Sequence, residues 1–149
     1  MLLRWNHLHI CSRSFVMFLA VCCLSCSGGV KLNPVKGKLL YKNQPLPDAT
    51  VSFFLVGGDI TTGPSVGLTE EDGSFTLLTG EREGAPAGEY KVCVICPEEA
   101  RSKAKRNAVL GNKPEFKDRF KGAYAAKDHS KISVQIKEGM NELQPINLE

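Results

Sequence analysis

Beyond residue 34 the chain alternates apolar and polar positions with a period of two, in short runs broken by turn residues. Val35 to Tyr41 alternates in part and predicts a first strand. Lys42 to Asp48, holding Pro45 and Pro47, predicts a turn. Ala49 to Leu55 predicts a second strand with Val51 and Phe53 on one face, ended by Gly57-Gly58-Asp59. Ser65 to Thr69 predicts a third. Glu71-Asp72-Gly73 predicts a tight turn in which the glycine takes a positive φ. Ser74 to Thr79 follows with Phe75 and Leu77 on one face, and Gly80 to Gly88 reads as a loop. Glu89 to Cys96 is the clearest strand, with Tyr90, Val92 and Val94 aligned. Ile132 to Lys137 turns Ile132, Val134 and Ile136 inward, and Glu138-Gly139-Met140-Asn141 leads into a last strand from Glu142 to Leu148. Seven short strands at this spacing predict an all-β fold, a seven-stranded antiparallel β-sandwich.

Residues 97–131 interrupt the rhythm and predict one long loop insertion. Phe116, Phe120 and Tyr124 recur there at four-residue spacing. That spacing fits a short amphipathic helix, but the simpler expectation is a loop whose aromatics tack it onto the sandwich.

The N-terminus has a different grammar. Arg4 and Arg13 precede a ten-residue apolar run, Phe15 to Leu24, too short to span a bilayer, which needs about 20 residues. Cys23-Leu24-Ser25-Cys26 resembles the lipobox of bacterial lipoproteins, with Cys23 standing where leucine is usual. The resemblance implies thioether attachment of lipid to Cys26 and cleavage before it. The expected organisation is a signal peptide over 1–25, a lipidated tether over 26–34 and one β-sandwich domain over 35–149.

Charge then changes the picture in two ways. After cleavage the chain retains 17 basic and 16 acidic residues, a net +1. A near-neutral domain lacks the basic footprint that general nucleic-acid binding requires. The balance is uneven, however: residues 97–131 hold ten Lys or Arg and five Asp or Glu, a local +5. Arg101, Lys103, Lys105 and Arg106 are the candidate contacts with an anionic surface.

Three stretches carry a family resemblance: Val35-Lys36-Gly37-Lys38-Leu39-Leu40-Tyr41 with Gln44-Pro45-Leu46-Pro47-Asp48-Ala49-Thr50-Val51-Ser52-Phe53; Thr69-Glu70-Glu71-Asp72-Gly73-Ser74-Phe75; and Pro86-Ala87-Gly88-Glu89-Tyr90-Lys91-Val92. Together they resemble the carboxypeptidase regulatory-like domain, a transthyretin-like (prealbumin-like) sandwich, in the form of the short lipoproteins of planctomycete-type bacteria. Asn43-Gln44 departs from the family, which prefers a glycine before Pro-Leu, and bears on the turn type. The resemblance implies a non-catalytic accessory module. Hydroxyisourate hydrolases share the transthyretin-like fold, but this chain lacks their histidines and ends in Pro145-Ile146-Asn147-Leu148-Glu149.

Other candidate chemistry is thin. With His7 and His9 in the leader, His129 alone cannot build a three-ligand zinc site. Cys93-Val94-Ile95-Cys96 matches C-x-x-C, yet in a strand the two Cα atoms lie roughly 10 Å apart at about 3.3 Å per residue. A disulfide needs about 7 Å or less. Two thiols on opposite faces are expected, Cys96 inward. Glu70-Glu71-Asp72 fits a hairpin turn better than a calcium loop. An isopeptide bond from Lys36 or Lys38 to Asn141 or Asn147 lacks a buried glutamate to promote it. No enzyme activity, cofactor or metal is expected. The expected function is that of an envelope-anchored binding or structural module. It would be held to a membrane by its lipid and would meet an envelope protein or anionic polymer, not nucleic acid. The alternative is an accessory subunit of an extracytoplasmic hydrolase or peptidase.

Overall fold

The computed structural model describes residues 29–58, 63–99, 106, 109 and 117–149. Residues 1–28, with the expected leader and Cys26, and the stretch holding Arg101, Lys103, Lys105 and Phe116 lie outside the described residues. Alternating sequence becomes strand at β1 (Val35–Tyr41), β2 (Gln44–Pro45), β3 (Thr50–Leu55), β4 (Ser65–Leu68), β5 (Ser74–Thr76), β6 (Leu78–Thr79), β7 (Arg82–Glu83), β8 (Gly88–Ile95), β9 (Ser133–Ile136), β10 (Asn141–Glu142) and β11 (Ile146–Leu148). Helix is confined, among the described residues, to a 3-10 turn at Lys127–His129 and to positions 106 and 109.

The strands form two sheets. In the first, β1 is central, flanked by β2 and β5 on one side and by β10 and β11 on the other. The second runs β7-β6-β4-β3-β8-β9. Inward positions of both sheets share one core: Val35, Leu39, Ile146 and Leu148 from the first, Val51, Phe53, Val92, Val94 and Ile136 from the second. Phe53 and Phe75 meet across the gap with ring centroids 6.0 Å apart. Gly37 has no side chain because the Phe75 ring lies over it; an added Cβ would sit 2.5 Å from Cζ. The expected inward faces at Val51/Phe53, Phe75/Leu77 and Tyr90/Val92/Val94 are all buried, and Ile136 with them, while Ile132 and Val134 pack at the core's edge. The all-β sandwich expectation holds.

Several details differ from the sequence reading, among them the two-residue strand β7 inside the expected Gly80–Gly88 loop, paired with β6. The sandwich is not wholly antiparallel, since β10 and β11 run parallel to β1, pairing Val35 with Asn141 and Leu39 with Ile146. The expected strand Ser74–Thr79 is two strands, because the chain changes sheets at buried Leu77: β5 pairs with β1 and β6 with β4. The expected last strand also breaks, at Leu143–Pro145, where proline has no N–H for a ladder. The Lys42–Asp48 turn is tighter than its two prolines suggest. Lys42 and Asn43 both have positive φ and close a two-residue hairpin of type I′, with Tyr41 paired to Gln44.

Strand directions give the sandwich two distinct ends. Asn33, Val56 after β3, the β6–β7 turn and the Lys137–Met140 turn share one, here called the N-terminal end. The Lys42–Asn43 hairpin, the Glu70–Gly73 turn and the roots of the insertion share the other.

Candidate functional site

The N-terminal end is closed by two asparagines. Asn33 is buried; its Nδ2 donates to the Ala85 carbonyl at 3.3 Å and its Oδ1 accepts from the Gly139 N–H at 2.9 Å. Backbone bonds between Asn33 and Ala85 run in both directions. Asn141 cages its own turn, donating to the carbonyls of Lys137 and Gly139 and accepting from the Lys137 N–H at 2.8 Å. The backbone therefore leaves a fixed point at Asn33, seven residues after Cys26. Around this plug the surface carries three exposed apolar side chains: Val30 at 51%, Val56 at 47% and Met140 at 85% exposure. Nearby, the Pro86-Ala87-Gly88-Glu89-Tyr90 run forms a tyrosine corner, with the buried Tyr90 hydroxyl donating to the Pro86 carbonyl at 2.8 Å. Burial pushes the Tyr90 hydroxyl above its usual range, opposed by Ser65.

The other end is organised by Asp118. The insertion leaves and returns through a single bridge, Pro97 against Asp118, with Glu98 N–H donating to the Lys117 carbonyl and Arg119 N–H to that of Cys96. One Asp118 carboxylate oxygen accepts from Cys96 N–H at 3.0 Å and the other from Gly122 N–H at 2.7 Å. The returning chain then lies along β8, with Val94 N–H donating to Tyr124 and Val92 N–H to Ile132. Phe120 packs between Tyr41 (5.2 Å) and Tyr124 (5.1 Å, edge-on). The tacked-loop expectation holds for Phe120 and Tyr124. The helical alternative does not hold over residues 119–125, which are turns; Phe116 lies outside the described residues.

The candidate chemistry resolves as follows. Cys93 and Cys96 form no disulfide and are both buried. Cys96 joins the core; Cys93 lies on the opposite face, across from Ser52, where Lys127 and Asp128 of the 3-10 turn act on it. Burial raises the Cys93 thiol above its usual range, countered by Lys127 and reinforced by Asp128, so it is a poor thiolate. His129 is exposed, and no cluster of three metal-ligating side chains occurs among the described residues. Glu70-Glu71-Asp72 is the expected hairpin turn: Gly73 has φ 78, and a Cβ there would sit 2.4 Å from the Leu39 carbonyl. Asp72 is held at about 2, chiefly by the Ser74 hydroxyl and N–H, then by Lys38, whose Nζ lies 3.3 Å away. Three of the four isopeptide candidates are otherwise engaged. Lys38 pairs with Asp72, Asn141 is caged in its turn, and Asn147 exchanges hydrogen bonds with Asn43. Shallow clefts flank the Glu142–Pro145 crossing, lined by groups such as Lys36, Ser74 and Gln144.

Of the residues singled out in the sequence, Arg106 is described, exposed and helical, beyond the Asp118 bridge. Cys26, Arg101, Lys103 and Lys105 lie outside the described residues. Asn33, Asp118 and the exposed trio Val30, Val56 and Met140 were not legible as a set, since their grouping depends on strand direction.

No protein-family model matches the chain, and no curated protein matches it. Among solved structures, a DUF3823 family protein from Parabacteroides merdae is similar at 18% identity and a TM-score of 0.39, over 78% of this chain and 45% of that one. The chain thus spans less than half the length of that protein.

Proposed function

We propose that this chain is a lipid-anchored, non-catalytic envelope module, tethered through Cys26 and presenting the basic part of its insertion away from the anchoring membrane. The observation that carries the reading is the placement of the two attachment points at opposite ends of the sandwich. Asn33 roots the tether at one end; the Pro97–Asp118 bridge roots the insertion at the other. Between them runs β8, eight residues long, which is about 26 Å of extended chain at about 3.3 Å per residue. Screening lengths near physiological salt are about 8–10 Å. On this reading the contact of Arg101, Lys103, Lys105 and Arg106 is with an anionic polymer or envelope protein rather than with the leaflet that holds the lipid.

The finer fold reading is the seven-stranded transthyretin-like, carboxypeptidase regulatory-like sandwich. Its supports are the three motif stretches, whose turn, hairpin and tyrosine corner each have a structural reason here. Grouping β5 with β6 and β10 with β11, and setting aside the two-residue β2 and β7, leaves the seven runs of the sequence pattern.

The test is co-sedimentation of the acylated protein with purified cell-wall polymer and, separately, with anionic vesicles. Retention on polymer that falls when Arg101, Lys103, Lys105 and Arg106 are changed to glutamine supports the reading. Equal retention of wild type and variant overturns the polymer contact. A peptidase or hydrolase recovered in stoichiometric complex would favour the accessory-subunit alternative.

A further inference from the structure

We infer that the N-terminal end of the sandwich is itself a lipid-contact surface, with Met140 and Val30, flanked by Val56, resting in the interfacial region of the bilayer. The inference rests on the lipid-anchor reading and extends it from a tether to an oriented contact.

The argument starts from reach. Seven residues separate Cys26 from the locked Asn33, and at about 3.3–3.6 Å per residue they span at most about 25 Å. The Arg82–Val30 and Lys31–Glu138 contacts pin the last part of this stretch to the sandwich, so the reach from its free part is shorter still. The end holding Asn33 is thus confined beside the headgroups, while the insertion end stands a sandwich-length away.

The second element is which side chains occupy that end. Exposed large apolar residues are expected singly on any surface. Here Met140, the most exposed of them apart from Val109, tips the Lys137–Met140 turn, and Val30 and Val56 emerge at the same end. Val30 is held there by its carbonyl, which accepts from the Arg82 guanidinium at 3.4 Å, and by the neighbouring Lys31–Glu138 ion pair at 2.9 Å. The Asn141 cage and the Asn33–Gly139 bond hold the turn that presents Met140. A rigid turn with a flexible thioether at its tip suits shallow burial among lipid headgroups.

Third, the end has no excess of positive charge. Lys31, Arg82 and Lys137 share it with Glu81, Glu83, Glu89 and Glu138, and Lys31 pairs with Glu138 at 2.9 Å. Attraction to anionic lipid therefore does not hold it down. The contact depends on the anchor for proximity and on the apolar tips for fit, and salt leaves it nearly unchanged.

The experiment uses the full chain, processed in cells and reconstituted into phosphatidylethanolamine/phosphatidylglycerol vesicles. A polarity-sensitive fluorophore is placed on Met140→Cys, on Val30→Cys, and on Glu71→Cys at the opposite end. Buried Cys93 and Cys96 do not compete for the label in the folded protein. Mass spectrometry of the N-terminus comes first; an unacylated chain would overturn the anchor reading and this inference with it. With acylation established, labels at 140 and 30 should blue-shift, lose about threefold or more of their iodide quenching, and be quenched by shallow spin-labelled lipid, as expected for burial about 5–10 Å into the interface. The label at 71 should stay water-exposed, and raising the salt should alter none of these. If 140 and 30 quench like 71 in acylated, vesicle-bound protein, the lipid-contact surface is wrong while the anchor stands.

Discussion

The two ends of this sandwich are built by different means. At the N-terminal end, neutral asparagine amides knit three backbone segments into a plug, and the outer surface sets the apolar side chains of Val30, Val56 and Met140 among charges of both signs. At the insertion end, a single carboxylate, Asp118, gathers two N–H groups, and aromatic rings hold down a chain rich in lysine and arginine. A buried amide network gives a rigid root from which a short tether can hold an orientation. A carboxylate clamp holds the base of the insertion, where the chain leaves and rejoins the sheet.

The largest expected effect separates anchor from fold. Cys26→Ser should leave unprocessed precursor or release soluble protein, read by fractionation and mass spectrometry, while the melting curve of the folded part stays unchanged. Acylation and cleavage persisting in the variant would place the lipid elsewhere.

Next come the interior residues on which both ends depend. Phe75→Ala removes the ring that meets Phe53 across the sheets and covers Gly37, and should cost about 3–5 kcal/mol in chemical denaturation. A change near zero would mean that the two faces are not packed as described.

The ends themselves can then be set against each other. Asn33→Ala strips a partner from the Ala85 carbonyl and from the Gly139 N–H and should cost about 1–3 kcal/mol globally. Asp118→Ala should act locally instead, speeding amide exchange at Cys96 and Gly122 before the global opening rate changes. If Asp118→Ala unfolds the protein as readily as Asn33→Ala, the insertion root is part of the core and the contrast fails.

The smallest effect concerns Asp72. Its carboxyl is at about 2 in the folded protein against 3.8 for the unperturbed group, so it binds its proton less readily folded than unfolded. The stabilisation is therefore complete above about pH 4 and is lost as pH falls through about 2. Asp72 is fully solvated, so the contribution is small. A melting-temperature series from pH 5 to pH 2 should decline less steeply in Asp72→Asn than in wild type.

Much of this was legible in the sequence because it is local. Alternation placed Val51, Phe53, Tyr90, Val92 and Val94 on the correct face, since strand geometry makes the side-chain period independent of what the strand pairs with. Asp72-Gly73 announced its turn through the positive φ that glycine admits. The extended run at Cys93–Cys96 excluded a disulfide by distance, and both cysteines are indeed thiols. Burial of Cys93 was not legible: its cover is a 3-10 turn more than thirty residues away. Nor was the change of sheet at Leu77, which continues an unbroken alternation.

What the sequence determined by itself, then, is the succession of short strands, their inward faces, the turn chemistry between them and a basic insertion. Which strands run parallel, which turns share an end and which exposed side chains stand together were decided only by the tertiary structure. The physical reason is that a strand's two edges are chemically alike, each a row of N–H and C=O groups. A strand's own residues thus choose a face without choosing a partner. The parallel pairing of β1 with β10 and β11 joins residues about a hundred positions apart. Only the collective closing of the core selects it, and with it the opposition of the two ends.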